Sequence, residues 1–224
     1  MKAMLLAAGR GERMRPLTDT CPKPLLPVAG KPLIVWHLER LARAGFHDVI
    51  INLSWLGEMI AAALGDGSRY GLRISYSREP WPALETGGGL LQALPLLGEG
   101  PFLLVNGDVF TDIDFAALQI APRDLAQLVL VPNPEQHPQG DFFLAEPGRI
   151  QAAGGERLTY SGVALLRPEL FDGATPGRFP LLPWLLRARD AGRLGGQRHA
   201  GEWLDIGTPQ RLAQLDASLQ SVRG

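Results

Sequence analysis

Apolar residues fall in short runs, broken by glycine, proline or charge. Ala3–Ala8 is one such run, stopped by Gly9, and reads as a buried strand. Over Lys31–Ala44 the apolar positions Leu33, Ile34, Leu38 and Leu41 keep helical spacing, and Gly45 stands where a helix would end. Val49–Leu53 reads as a second strand. Gly57–Leu64 predicts a helix closed by the turn cluster Gly65-Asp66-Gly67-Ser68. Leu72–Tyr76, Phe102–Val105 and Ala126–Val131 read as further strands. Gly88–Leu97 predicts a short helix, and Phe115–Leu118 a helical turn. This alternation of strand and helix predicts an α/β fold with a largely parallel sheet.

After Val131 the pattern changes. Pro132, Pro134, Pro138, Gly140, Pro147, Gly148, Gly154 and Gly155 interrupt it, leaving Phe142–Ala145 and Arg149–Ala153 as the arms of a hairpin. Thr159–Leu166 reads as a strand, Leu181–Ala191 as a helix, Glu202–Ile206 as a short strand and Pro209–Ser221 as a closing helix. No repeat or linker divides the chain, so 1–224 reads as one domain.

Composition excludes several classes. One cysteine, Cys21, cannot form an internal disulfide or a Cys-rich zinc site. No apolar run approaches the ~20 residues of a membrane helix, and the N-terminal run is shorter than a signal-peptide core. A cytoplasmic protein without a membrane partner is the expectation. The formal net charge of −1 hides an asymmetry: residues 1–31 carry a net +4 and the remainder −5. A basic segment on an acidic body points to a compact anionic ligand rather than to nucleic acid. Only three of the 22 cations are lysines: Lys2, Lys23 and Lys31.

The basic segment follows the first strand as Gly9-Arg10-Gly11-Glu12-Arg13-Met14-Arg15-Pro16. It fits neither the dinucleotide fingerprint, because residue 14 is Met, nor the P-loop. It still holds the ingredients of a phosphate site. Glycines free backbone N–H groups for close approach, and Arg13 and Arg15 offer charge-assisted hydrogen bonds. Pro22 and Pro24 stiffen the backbone around Lys23.

Residues 5–32 as a whole resemble the signature of the sugar-1-phosphate nucleotidyltransferases. The similarity continues in family order through Asn52-Leu53-Ser54, Glu85-Thr86-Gly87-Gly88-Gly89, Asn106-Gly107-Asp108, Ser161-Gly162 and Trp203-Leu204-Asp205-Ile206-Gly207-Thr208-Pro209. The resemblance implies a single-domain Rossmann-like fold with a mostly parallel central sheet and a small β-hairpin insertion for the sugar. Its nucleotide-binding part would span about 1–131 and its sugar-phosphate-binding part about 132–224. It further implies a soluble monomer or small homo-oligomer that joins a nucleoside triphosphate to a sugar 1-phosphate and releases pyrophosphate.

Site residues follow by position. Gly9, Gly11, Glu12, Arg13 and Lys23 would hold the triphosphate; Asn52, Thr86, Gly87 and Asn106 would hold the rest of the nucleotide. Glycine at 87–89 could instead serve tight packing. Asp108 and Asp205 match the family's metal-binding pair, and Mg²⁺ is the implied ion because it takes one or two carboxylates and completes its octahedron with phosphate and water. Arg13, Lys23 and Asp108 would carry catalysis. Asp112 and Asp114 read as caps. Many relatives hold the sugar phosphate with a second lysine in a Glu-Lys-Pro motif; here the corresponding stretch is Gly155-Glu156-Arg157-Leu158. Glu156 and Arg157, with Asp141, Ser161 and Gly162, are the sugar-phosphate candidates. The strongest resemblance is to a short bacterial subgroup, implying UTP and N-acetylmuramic acid 1-phosphate as substrates in cell-wall recycling. A mannose- or heptose-1-phosphate guanylyltransferase, a glucose-1-phosphate thymidylyltransferase and a non-catalytic nucleotide sensor are the alternatives.

Overall fold

The N-terminal apolar run becomes a central strand because both of its faces are covered. The computed structural model describes residues 1–221. In chain order it forms β1 Lys2–Leu6, α1 Leu17–Thr20, a short ribbon of β2 Pro27–Val28 and β3 Lys31–Pro32, α2 Leu33–Arg43, β4 Asp48–Leu53, α3 Gly57–Leu64, β5 Arg73–Arg78, α4 Glu85–Leu97, β6 Phe102–Asn106 and β7 Val109–Thr111. There follow β8 Ala126–Val131, β9 Phe142–Ala145, β10 Arg149–Gln151, β11 Glu156–Leu166, α5 Leu182–Asp190, β12 Leu194–Arg198, β13 Trp203–Asp205 and α6 Pro209–Ser221.

Nine strands make one sheet in the order β5-β4-β1-β6-β11-β8-β12-β10-β9. Alternate residues of the central strands feed two layers. Leu5, Val49, Ile51, Leu103 and Val105 pack with α2 and α3 on one face. Met4, Ile50, Phe102 and Leu104 pack with α4 and α5 on the other. Two covered faces require near-continuous apolar strands, which is why these runs do not alternate with polar residues.

The expected parallel sheet is found from β5 through β6, where all three pairings are parallel. Beyond β6 the sheet is mixed. β11 runs antiparallel to both β6 and β8, while β8 and β12 pair in parallel. The hairpin β9–β10 closes this edge, and β9 also pairs with the first residues of β11. A third cluster, including Met14, Leu33, Phe110, Ile206 and Leu212, lies apart from both main layers. It fastens the loop after β1 to β7 and α6. Among the described residues no helix is long and apolar enough to cross a membrane.

Candidate functional site

The carboxyl ends of β1, β4 and β6 open onto one cavity of about 340 Å³, where open α/β sheets place ligand sites. The loop after β1 forms one wall. Gly11 takes a left-handed conformation (φ +69°), and a Cβ there would lie 3.1 Å from Thr18 Cγ2 and 3.3 Å from Lys23 Cβ. Its carbonyl accepts hydrogen bonds from Met14 N at 2.9 Å and Thr18 Oγ1 at 2.9 Å, so the loop is folded back on itself. Trp55 Nε1 donates to Thr18 O at 3.0 Å and braces the turn from outside. The buried Met14 anchors the loop below.

The cations of this loop differ in what they already hold. Arg10 pairs with Glu12 and Asp19, and Arg15 with Asp19. Arg13 has no ion-pair partner among the described residues, lines the cavity and reaches Gly207, where a Cβ would stand 3.0 Å from its Nη2. Its charge is therefore available to an anion. Lys23, on a short helical turn that follows extended Pro22, is 8% exposed and donates to Asp108 Oδ2 at 2.7 Å.

Asp108 and Asp205 come from segments far apart in the chain. They meet because β13 pairs antiparallel with β7, with Asp205 opposite Val109 and Ile206 N donating to Asp108 O at 2.8 Å. Arg211, from the first turns of α6, donates to Asp205 Oδ2 at 2.6 Å. Each carboxylate thus has one oxygen on a side-chain cation and the other free of hydrogen bonds among the described residues. No set of three or more metal-ligating side chains gathers among the described residues. Two half-buried carboxylates facing one cleft suit a hard cation whose other ligands are phosphate oxygens and water. The Lys23 ammonium already marks a position where positive charge is stabilised.

A second cavity of about 240 Å³ adjoins the first and shares Asn106 and Asp108 with it. Asp205, Asp141, Ser161 and Gly162 line it. β11 bulges between Tyr160 and Ala164. At Gly162 (φ +79°) a Cβ would lie 2.8 Å from Asn106 Nδ2, so only glycine lets β11 approach the end of β6 this closely. Ser161 Oγ donates to Val129 O at 2.8 Å and accepts from Val163 N at 3.1 Å. These two bonds hold the bulge.

Other candidates are placed differently. Asn52 lines the first cavity, but its Oδ1 accepts from Ala7 N at 2.7 Å and its Nδ2 donates to Glu79 Oε1 at 2.6 Å. It shapes the floor together with Glu79, which the sequence reading did not single out. Thr86 lines the cavity, whereas Gly87 is buried behind it, where a Cβ would stand 2.5 Å from the Phe179 ring. Cβ atoms at Gly88 and Gly89 would meet Gly177 O at 2.1 Å and Glu79 Oε1 at 2.4 Å. The three glycines bring α4 against its neighbours.

Glu156 and Arg157 line neither cavity. Glu156 pairs with Arg198 at 3.2 Å, and the Arg157 guanidinium lies 5.2 Å from the centre of the Phe143 ring. Asp114 caps a short helical turn by accepting from Ala116 N, while Asp112 pairs with His199 at 2.6 Å. Arg211 was missed as well; its only sequence signal is its place two residues after Pro209.

Behind β7, His37 of α2 is buried, and neither ring nitrogen makes a hydrogen bond. Burial lowers its pKa to about 4, with the nearby Arg40 charge adding to the shift and the Asp108 charge opposing it. The folded pKa lies below the ordinary histidine value, so the unfolded chain binds the extra proton first. Stability is unaffected by His37 above pH 6.5 and falls as pH drops from there towards about 4. A His37→Leu chain is expected to lose less stability than wild type between those limits, by on the order of 3 kcal/mol. Urea midpoints measured at pH 7 and pH 4.5 check this; equal losses for both chains would exclude it.

Comparison with known proteins places the chain. The family described as "Nucleotidyl transferase" matches residues 2–153. An N-acetylmuramate alpha-1-phosphate uridylyltransferase from Neisseria meningitidis serogroup B is 57% identical, covering 97% of each chain. A protein of the same name from Caulobacter vibrioides is 37% identical, covering 97% of this chain and 96% of the relative. Among solved structures, HddC from Yersinia pseudotuberculosis complexed with GMP-PN superimposes with a TM-score of 0.80. It is 19% identical, with 97% of this chain and 99% of that chain covered, and so shares the fold.

Proposed function

This chain belongs to the nucleotidyl transferase family, and we propose that within it the protein transfers UMP from UTP to N-acetylmuramic acid 1-phosphate, giving UDP-N-acetylmuramate and pyrophosphate. The observation that carries the reaction type is the meeting of two cavities at Asn106 and Asp108. The first is walled by the phosphate-type loop and the second by acidic and hydroxyl groups. A nucleotide in one and a sugar phosphate in the other would bring their phosphates together at Asp108. The substrate pair is supported by 57% identity over nearly the full length of the Neisseria protein.

The reaction needs no protein nucleophile. A phosphate oxygen of the sugar 1-phosphate attacks the α-phosphorus of the nucleotide. The bond from that phosphorus to the bridging oxygen breaks, and pyrophosphate leaves with the electron pair. Catalysis is then positioning and charge neutralisation. Arg13, unpaired and exposed to the cavity, binds the β- and γ-phosphates, and the amides around Gly11 add hydrogen bonds as negative charge collects on the leaving group. Lys23, fixed between its prolines and bonded to Asp108, would reach the triphosphate from that position. Asp108 and Asp205 would hold Mg²⁺, which supplies neutralisation of the α-phosphate and the attacking phosphate. Arg211 fixes the Asp205 carboxylate in its place.

A matrix of four nucleoside triphosphates against several sugar 1-phosphates, followed by pyrophosphate release, tests the reading. UTP with N-acetylmuramic acid 1-phosphate is expected to give the highest kcat/KM. A better pair would overturn the substrate assignment, and no turnover with any pair would overturn the enzyme.

A further inference from the structure

The second cavity has an electrostatic problem if its occupant is an acidic sugar. Asp108, Asp141 and Asp205 all line it. N-acetylmuramic acid carries a carboxylate on a lactyl ether at C3, in addition to its phosphate at C1. The phosphate can be neutralised at the Asp108–Asp205 end. With its phosphate held there, the sugar would present the lactyl carboxylate, on C3, to a different wall.

That wall is the turn between β8 and β9, and it holds the one side chain of the described lining able to carry positive charge, His137. The imidazole is positioned from both sides. His137 N donates to Pro134 O at 2.8 Å, and His137 Nε2 lies 2.9 Å from Asp141 Oδ1. Asp141 is itself fixed, since its Oδ2 accepts from Tyr160 N at 2.8 Å and its backbone N donates to Leu158 O at 2.7 Å. An ionised carboxylate only accepts, so Nε2 is the donor in this pair. The other ring nitrogen, Nδ1, makes no hydrogen bond among the described residues, and His137 lines the cavity.

We propose that the His137–Asp141 pair is the subsite for the carboxylate of an acidic sugar 1-phosphate, and that it selects such a sugar over its neutral counterpart. This rests on the substrate class proposed above. With Asp141 on Nε2, Nδ1 donates only from the imidazolium. A carboxylate bound at Nδ1 would favour that protonated ring and meet a charged donor, while Asp141 balances the ring's charge. Asp141 is a positioning residue, and His137 is the group that touches substrate. The arrangement also accounts for Asp141 in an anion-binding cavity, where a lone carboxylate would repel the ligand.

The experiment compares N-acetylmuramic acid 1-phosphate with N-acetylglucosamine 1-phosphate, which lacks the lactyl group, using UTP throughout. His137→Ala is expected to raise KM for the muramyl substrate roughly 10- to 100-fold, the worth of a charged hydrogen bond. KM for the neutral sugar and for UTP should move less than about twofold, which also shows that the variant is folded. His137→Lys should restore part of the muramyl preference. Equal effects on both sugars, or no effect on either, overturn the subsite and leave the enzyme's own substrate choice standing. A wild-type protein that does not prefer the muramyl substrate overturns both.

Discussion

Replacing Asp108 by asparagine should lower kcat by roughly 10²–10³-fold, the scale for losing one preorganised electrostatic group. Asparagine keeps the shape and one acceptor oxygen but removes the charge. Two consequences meet at one point. The Lys23 ammonium, 8% exposed, loses the carboxylate 2.7 Å away. The cleft also loses one of two carboxylates available to a hard cation. KM for UTP should change only a few-fold, because Arg13 and the loop amides, the groups proposed to bear most of the triphosphate, are untouched. The Mg²⁺ concentration needed for half-maximal rate should rise in parallel with the loss of kcat. Asp205→Asn should behave similarly but release Arg211 instead of Lys23. An Asp108→Asn protein with near-normal Mg²⁺-dependent turnover would remove Asp108 from the metal site.

The two aspartates were legible because each sits in a short motif, but what joins them was not. β7 is three residues long and follows β6 after one turn, and its partner β13 is also three residues long. Such short strands carry no periodicity to read, and their register is set by the third hydrophobic cluster, in which Phe110 and Ile206 are both buried. The central strands were legible for the opposite reason, since coverage on both faces leaves long apolar runs. β12 escaped notice because Gly195 and Gly196 interrupt its apolar character, and a Cβ at Gly195 would stand 2.0 Å from Gln127 Oε1.

Glu156 and Arg157 illustrate a different limit. Side-chain direction on a strand alternates residue by residue, so one extra residue changes which face a position presents. The β11 bulge lies between these two residues and Asn106. Thr159, Tyr160, Ser161 and Gly162, at and just before the bulge, line the cavity, while Glu156 and Arg157, at the start of the strand, pair alongside β9 and lie outside it. Motif correspondence located the strand, but it did not determine the facing. Asp141, chosen with them, does line the cavity, and its partner His137 carried no spacing signal at all.

The sugar-side wall depends on an ion pair that no local pattern announces, and breaking it should be the most destabilising single change in this half of the molecule. Asp124 is buried at 1% exposure, with its Oδ2 accepting from Arg149 Nη1 at 2.7 Å. Arg149 belongs to β10, and its Nη2 also donates to Gly192 O at 2.6 Å. The pair therefore ties the β9–β10 hairpin to the segments entering β8 and β12. Asp124→Ala leaves the guanidinium in place with one carbonyl partner, and removal of one member of a buried pair costs about 3–5 kcal/mol. For a chain of this size that is roughly 6–20 °C in Tm. Arg149→Leu should cost a comparable amount, because the buried carboxylate keeps only the exposed Arg123, 4.0 Å from an Oδ1 that makes no hydrogen bond. The double variant Asp124→Ala/Arg149→Leu should recover much of either loss, because neither charge is left buried without its partner. Urea unfolding of the three variants reads this as a shift in midpoint with unchanged slope. Single losses below about 1 kcal/mol would mean that the pair is screened as a surface bridge is. Because β9 carries the turn with His137 and Asp141 against β11, the single variants should raise KM for the sugar phosphate before they alter KM for UTP.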